Sequence, residues 1–225
     1  MPNKLDRRLD EALAALRERA RPEQLEGMAR FGLTSSGRLG LAVPDLRALA
    51  RRFGRDHELA LALWDTGIPD AQLLAGMVAE PARLTVAEMD RWVAGMRAWD
   101  VCDQACLNAF VKSPLSWDRI PAWAAREAEF EKRAAFALLA VAAVHQKQRP
   151  DADFLARLPL IEAAAADDRN FVKKAVNWAL RQIGKRNPAL REQALTVAKR
   201  LCERSERSAR WIGSDARREL GRAPR

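Results

Sequence analysis

Residues 98–106 read AWDVCDQAC and combine a tryptophan, two aspartates and two cysteines in one short stretch. On a helix, Asp103 lies about 40° from Trp99 around the axis, whereas Asp100 lies about 100° away and points further toward solvent. The spacing of four residues places the Trp99 ring and the Asp103 carboxylate side by side. Such a carboxylate can stabilise a cation, but it can equally pair with a buried arginine. Asp100 is expected to cap or solvate the helix.

A second tryptophan accompanies a stripe of cations in RNFVKKAVNWALRQIGKRN, residues 169–187. The helical wheel of this segment has a broad apolar face, and Trp178 lies between that face and the cations. The cations on this side are Lys174, Arg181 and Lys185. Aromatic rings stack on bases and cations neutralise phosphates, so the pattern is typical of a nucleic-acid interface. A tryptophan at the edge of the core is the alternative.

Arg133 stands at the entrance of a helix that continues without a polar side chain from Ala134 to Val144. The apolar run predicts a helix that is covered on most sides. Arg133 can reach a phosphate or a carboxylate at the end of such a helix, or can extend along the apolar surface toward solvent.

The composition argues against a metal or cofactor site and against a membrane protein. The two histidines, His57 and His145, lie far from the cysteine pair Cys102 and Cys106, and a zinc site requires four clustered ligands. We therefore interpret the two cysteines as small core residues. There is no apolar run long enough to span a membrane, and the charged N-terminal segment lacks an apolar signal region. We expect a cytoplasmic protein with no metal and no cofactor.

The charge distribution predicts a polyanionic partner. The formal net charge of the chain is +9. Residues 173–225 contain fifteen Lys or Arg against five Asp or Glu, and a smaller cluster of arginines runs from Arg30 to Arg55. Such asymmetry favours nucleic acid as the partner. A solvated basic surface is the alternative that charge alone leaves open.

Apolar residues recur three and four positions apart along nearly the whole chain, which predicts an all-α fold. Helix-start signals and prolines separate about a dozen short helices. Many short helices in sequence favour an α-solenoid, a right-handed superhelix of HEAT-like antiparallel helix pairs, over a compact bundle. No linker or low-complexity segment divides the chain, so residues 1–225 are expected to form a single domain, and we expect a monomer.

The sequence resembles the AlkD family of HEAT-like-repeat DNA glycosylases. The resemblance covers nearly the whole chain and rests on segments that occur in the same order as in the family. These are LWDTGIPDAQLLAGM (63–77), the W-D-x-x-D of WDVCDQ (99–104), FEKRAAFALLA (130–140), RNFVKKAVNWALRQIGKRNP (169–188) and SARWIGSDARREL (208–220). It implies an enzyme of base excision repair that hydrolyses the N-glycosidic bond of N3- or N7-alkylated purines in double-stranded DNA.

The resemblance also implies roles for individual residues. Asp103 matches the aspartate that supports cleavage, and Trp99 and Trp178 match the aromatic residues that line the site. Arg133 and Arg181 match arginines near the DNA backbone. An alkylated purine is already cationic and leaves without a general acid, while a fixed carboxylate stabilises the positive sugar that remains. No lysine nucleophile accompanies these residues, so hydrolysis without strand cutting is expected.

The expected DNA surface extends over the C-terminal helices. Its members are Arg133, Lys174, Arg181, Lys185, Arg210 and Arg217, with Arg218 nearby. Two other functions remain open: a non-catalytic module that binds branched or distorted DNA, and a protein-binding scaffold. The scaffold leaves the basic C-terminal part unexplained.

Overall fold

The computed structural model of the protein describes residues 3–33 and 36–222, and in these residues the secondary structure is entirely helical. The predicted all-α class is confirmed, with a few more helices than expected. The α-helices are α1 (Lys4–Glu18), α2 (Leu25–Arg30), α3 (Val43–Phe53), α4 (His57–Asp65), α5 (Pro69–Val78), α6 (Val86–Gly95), α7 (Trp99–Asn108), α8 (Ser116–Ala124), α9 (Glu129–His145), α10 (Asp151–Leu155), α11 (Leu158–Ala164), α12 (Asn170–Gly184), α13 (Pro188–Cys202) and α14 (Arg207–Leu220).

Local signals explain where several helices begin. At α6 the Thr85 hydroxyl accepts from the Glu88 N–H at 3.2 Å, and the Glu88 carboxylate accepts from the Thr85 N–H at 2.8 Å, which is the capping box that the sequence predicts. Pro69 and Pro188 occupy the first position of their helices, where a missing N–H costs nothing.

The sequence pattern predicts that prolines separate the helices, but Pro121 lies inside α8. A proline there removes one backbone hydrogen bond. The helix is nonetheless anchored by Ile120 and Trp123, both fully buried. Burial of these two side chains outweighs the lost bond, which is why the helix continues through the proline.

The chain divides into two compact units, Met1–Leu115 and Ser116–Arg225. The prediction that residues 1–225 form a single domain is not tested by this division and stays a prediction. In the first unit, α5 is buried along its whole length and packs against α3, α4 and α7. Trp64 of α4 stacks on Trp92 of α6 with ring centroids 4.2 Å apart. An apolar helix at the centre of this unit thus holds α7 in place.

In the second unit, α9 is the central buried helix. All residues from Arg133 to Ala143 are buried, as the apolar run predicts for all of its members except the exposed Val144, and α9 packs against α8 and α12. Helix α12 in turn packs against α13 and α14. The amphipathic pattern of α12 matches this position, since Val172, Val176 and Leu180 on its apolar side are fully buried.

Contacts within the second unit reveal a repeat that the sequence does not display. Arg181 pairs with Glu219 and Glu162 pairs with Arg200, and in each pair the partners are 38 residues apart. The first ion pair joins α12 to α14 and the second joins α11 to α13. Helices α11 and α12 therefore correspond to α13 and α14 at the same offset of 38 residues. A period near 40 residues with two helices per repeat is typical of HEAT arrays.

A pair of arginines marks equivalent loops of two successive repeats. Arg169 donates to the carbonyl of Glu127 and Arg204 donates to the carbonyl of Glu162, in both cases across 42 residues. Each arginine also pairs with a nearby carboxylate, of Asp167 or of Glu206. These loops therefore satisfy carbonyl groups at or just after the end of the first helix of the preceding repeat.

Candidate catalytic residues and nucleic-acid interface

Helix α7 of the first unit positions Trp99 and Asp103. Val101, Cys102, Ala105 and Cys106 are buried and fix the face that α7 turns to the core, which confirms the interpretation of the cysteines as core residues. Trp99 is the first helical residue, and its indole N–H donates to the carbonyl of Phe31 at 3.0 Å. Trp99 and Asp103 are both half-buried, at the edge of the core.

Asp100 accepts from the N–H of Val101 in the first turn of α7 at 2.9 Å, in keeping with the expected capping role, but it is not solvated as the helical wheel suggested. Its carboxylate receives two hydrogen bonds from the Arg38 guanidinium, at 2.7 and 2.9 Å. The side chain of Arg38 is 2% exposed and that of Asp100 is 15% exposed. Asp100 therefore does not point to solvent. The helical wheel takes no account of the segment before α3. This segment folds over the start of α7 and covers the Asp100 carboxylate.

A second carboxylate holds the same segment. Asp70 of α5 is fully buried and accepts from the backbone N–H groups of Leu39 and Leu41, at 2.7 and 2.9 Å. Asp70 and Asp100 thus fasten residues 38–41 from two helices. Sequence reasoning missed both Asp70 and Arg38 as structural residues. The sequence shows Arg38 only as one member of the basic cluster from Arg30 to Arg55. Helical periodicity indicates no partner for Arg38 or for Asp70.

The structure places Arg133, at the N-terminal end of α9, in the interior of the second unit. It is 5% exposed, and one of its guanidinium nitrogens donates to the carbonyl of Phe171 at 2.7 Å. The rings of Phe130 and Phe171 stack beside it, with centroids 5.5 Å apart. Arg133 therefore ties α9 to the start of α12, and the alternative that it extends toward solvent is wrong. A contact with the DNA backbone stays a prediction.

Helix α12 carries the expected tryptophan and its cations, but the cations are in different situations. Trp178 is half-buried and Lys174 is exposed. Arg181 and Lys185 both pair with Glu219 of α14, and Arg181 also lies 3.6 Å from the carboxylate of Asp215. The sequence predicts this basic stripe but not its acidic partners, which α14 supplies because it packs along that side of α12. A contact of Arg181 and Lys185 with DNA stays a prediction.

The carboxylate at the centre of this cluster has a perturbed pKa. Burial raises the pKa of Glu219, but hydrogen bonds from Lys185 and Arg181 outweigh burial and hold the pKa below its usual value of 4.5. Glu219 is therefore charged at neutral pH and neutralises part of the stripe.

The remaining predicted cations lie on α14. Arg217 and Arg210 are exposed, and Arg210 donates to the carbonyls of Arg204 and Ser205. Arg218 pairs with Asp215 one turn earlier on the same helix. Lys174, Arg210 and Arg217 thus keep exposed positive charge without a carboxylate partner among the residues that the structure describes.

Trp99 and Asp103 belong to the first unit, whereas Arg133, Lys174, Trp178 and Arg181 belong to the second. Their assembly into one site therefore stays a prediction. Across residues 3–33 and 36–222, no three His, Cys, Asp or Glu side chains are grouped so that they could hold a metal ion. In the same part of the chain, none of the helices has the length and apolar character needed to cross a membrane.

Comparison with known proteins identifies the family. A comparison with curated proteins found no significant match. A solved structure described as "a new family of proteins related to the HEAT-like repeat DNA glycosylases with affinity for branched DNA structures" matches with a TM-score of 0.77 and 19% sequence identity, covering 95% of this chain and 96% of that chain. This likeness confirms the HEAT-like-repeat fold class. A family profile described as DNA alkylation repair enzyme matches residues 12–220. The chain belongs to the DNA alkylation repair enzyme family.

Proposed function

We propose that this protein is a monofunctional DNA N-glycosylase that removes N3- or N7-alkylated purines from double-stranded DNA. Family membership supports the general assignment, and the residues of α7 support the chemistry. The proposal makes Asp103 the catalytic carboxylate, Trp99 the aromatic wall beside it, and Trp178 a second aromatic contact to the lesion.

The observation that supports this assignment is the position of Asp103 beside Trp99 on α7. The other aspartate of this helix, Asp100, forms a two-bond ion pair with buried Arg38. Asp103 lies one turn further, half-buried and about 40° from Trp99 around the helix. A carboxylate in partly apolar surroundings acts more strongly on a nearby cation than one in open water.

The chemistry requires little more than this carboxylate and an aromatic face. Alkylation at N3 or N7 gives the purine a positive charge, so the base departs without being protonated. The sugar then carries positive charge, which Asp103 stabilises while it orients the attacking water. The faces of Trp99 and Trp178 suit a cationic base. Water adds to the sugar, the free base leaves, and both DNA strands remain intact.

Binding to DNA would precede this step and would depend on the exposed cations. Lys174, Arg210 and Arg217 provide positive charge that is not neutralised by carboxylates among the described residues. Arg181 and Lys185 can contribute as well, but Glu219 neutralises part of their charge. Affinity for duplex DNA should therefore fall steeply with salt, because each phosphate contact releases counterions.

A second candidate function is non-catalytic binding of branched DNA. The observation that favours it is the solved structure of the same fold, which is described as having affinity for branched DNA structures. Both functions need a basic surface, but only base excision needs Asp103.

One experiment separates the two candidates. The purified protein is incubated with duplex DNA containing N7-methylguanine, and released base is quantified by chromatography while binding to duplex and four-way-junction DNA is measured in parallel. We expect free N7-methylguanine to appear with first-order kinetics. Tight junction binding without any base release would select the second candidate.

A further inference from the structure

A cavity in the second unit contains an exposed tryptophan for which base excision gives no role. The cavity has a volume of about 440 Å³ and lies between the N-terminal parts of α12 and α14. Its lining residues are Asp168, Lys173, Arg207, Ser208 and Trp211. The volume is within the range of roughly 300 to 1,000 Å³ that small-molecule sites occupy.

Trp211 is the most distinctive residue of this cavity. It is 40% exposed, whereas Trp64, Trp92 and Trp123 are at most 3% exposed. On α14 the core positions are occupied by small or aliphatic residues such as Ile212, which is fully buried. Core packing therefore does not require Trp211. An aromatic ring that is left partly open beside a cavity is typical of a binding platform.

The cations around Trp211 add a second feature. The amino group of Lys173 lies over the indole, 5.7 Å from the ring centroid. Arg207 is exposed and is the first residue of α14. The N-cap residue, Glu206, forms no side-chain hydrogen bond to the first turn, so the positive end of this helix is not closed by a cap. The Ser208 hydroxyl is already used, since it donates to the carbonyl of Ala165 at 2.7 Å.

The combination fits a nucleotide whose base is not paired. A flat apolar ring can stack on a base, and the cations together with the helix N-terminus can receive a phosphate. A base inside a duplex has neighbours on both faces and cannot stack on Trp211. Around α12, Lys173 lies about 140° from Trp178, so this cavity is on a different side of the helix from the predicted catalytic tryptophan.

We propose that this cavity holds one unpaired nucleotide of a single-stranded DNA arm next to a duplex. The base stacks on Trp211, and its phosphate lies at Arg207 and the N-terminus of α14. The inference rests on the proposed binding to DNA but not on catalysis. It gives the protein a means of preferring branched DNA over a plain duplex.

The test compares binding to three fluorescent DNAs: a blunt duplex, the same duplex with a single-stranded flap, and the free single strand. Base stacking on one aromatic ring corresponds to about a 5- to 150-fold change in affinity. We expect Trp211→Ala to weaken binding of the flap DNA and the single strand by a factor in this range. Binding of the blunt duplex should change by less than about twofold, because phosphate contacts on the duplex do not involve the indole.

Matched variants keep the result interpretable. Trp211→Phe retains an aromatic face and should retain most of the preference for the flap. Lys173→Gln should weaken flap binding more than Lys199→Gln, which removes the same charge from an exposed position of α13 outside the cavity. Circular dichroism melting of each variant identifies any that is misfolded. If Trp211→Ala is misfolded, Trp211→Phe is compared with the natural protein instead.

A photocrosslink gives a readout that does not depend on affinity. A flap DNA carrying 5-iodouracil at successive arm positions should crosslink to the peptide that contains Trp211 from one or two positions only. The proposal is overturned if Trp211→Ala weakens duplex and flap binding equally, or if the crosslink maps outside Lys173, Arg207 and Trp211. If the protein binds the blunt duplex but shows no preference for the flap, this inference fails while the proposed function survives.

Discussion

Replacing Asp100 by asparagine should destabilise the first unit strongly, because it removes the negative charge that accepts two hydrogen bonds from the buried Arg38 guanidinium. The pair has two hydrogen bonds, at 2.7 and 2.9 Å, and the side chain of Arg38 is 2% exposed. Removing one partner of a buried pair costs about 3 to 5 kcal/mol. Since Asp100 keeps 15% exposure, we expect about 3 kcal/mol. For a chain of this size that corresponds to a melting temperature lower by roughly 6 to 12 °C.

Thermal and urea unfolding monitored by circular dichroism measure this effect. Asp65→Asn is the matched control, since Asp65 pairs with Arg91 at 3.0 Å but both side chains are about half exposed, and it should cost less than about 1 kcal/mol. Replacing both members of the buried pair, as Arg38→Met with Asp100→Leu, should restore much of the stability. If Asp100→Asn melted within 1 °C of the natural protein, the structural role assigned to Asp100 would be refuted.

Three further outcomes follow from other contacts. Asp70→Ala removes the acceptor of two N–H groups, the partly buried one of Leu39 and the buried one of Leu41, and should cost about 2 to 5 kcal/mol in urea unfolding; a loss below 1 kcal/mol would contradict this. Because the pKa of Glu219 is lowered in the folded protein, its ion pairs contribute stability that is fully present above about pH 4.5 and is lost as pH falls through the lowered pKa. Glu219→Gln should therefore flatten the acid side of a stability-against-pH curve, and an unchanged curve would argue against the pairing. Glu219→Gln should also tighten DNA binding and steepen its salt dependence. Lys174→Ala should instead reduce the slope of log K against log salt by about 1, for all DNA sequences alike. Equal slopes for the natural protein and both variants would show that α12 is not part of the interface.

The helices could be predicted well from the sequence because their signals are local. The capping box at Thr85 and the first-position proline at Pro69 act within one turn, and the apolar run from Ala134 to Val144 is sufficient to predict a covered helix. The HEAT-like architecture could be predicted, but the repeat length could not, because it is carried by contacts between residues 38 or 42 positions apart rather than by similar amino acids.

The site residues were predicted less completely, for a related reason. A helical wheel indicates which residues share a face, but it does not indicate what covers that face. Asp100 faces outward on the wheel and is nevertheless paired with Arg38, 62 residues earlier in the chain. Arg181 and Lys185 form a basic stripe on the wheel and are nevertheless paired with Glu219. Helical periodicity cannot reveal long-range ion pairs, so the sequence could not show which of the cations predicted to contact DNA have acidic partners.

The central claim is that Asp103 supports base excision and Asp100 does not. The most direct measurement is single-turnover release of N7-methylguanine from duplex DNA by the natural protein, Asp103→Asn and Asp100→Asn, at a temperature well below the melting point of each. We expect Asp103→Asn to lower the rate by about 10² to 10³ fold, the cost of losing one preorganised electrostatic group, with DNA binding retained or tightened. Asp100→Asn should remain near the natural rate while it is folded. A fully folded Asp103→Asn that releases base at the natural rate would contradict the account.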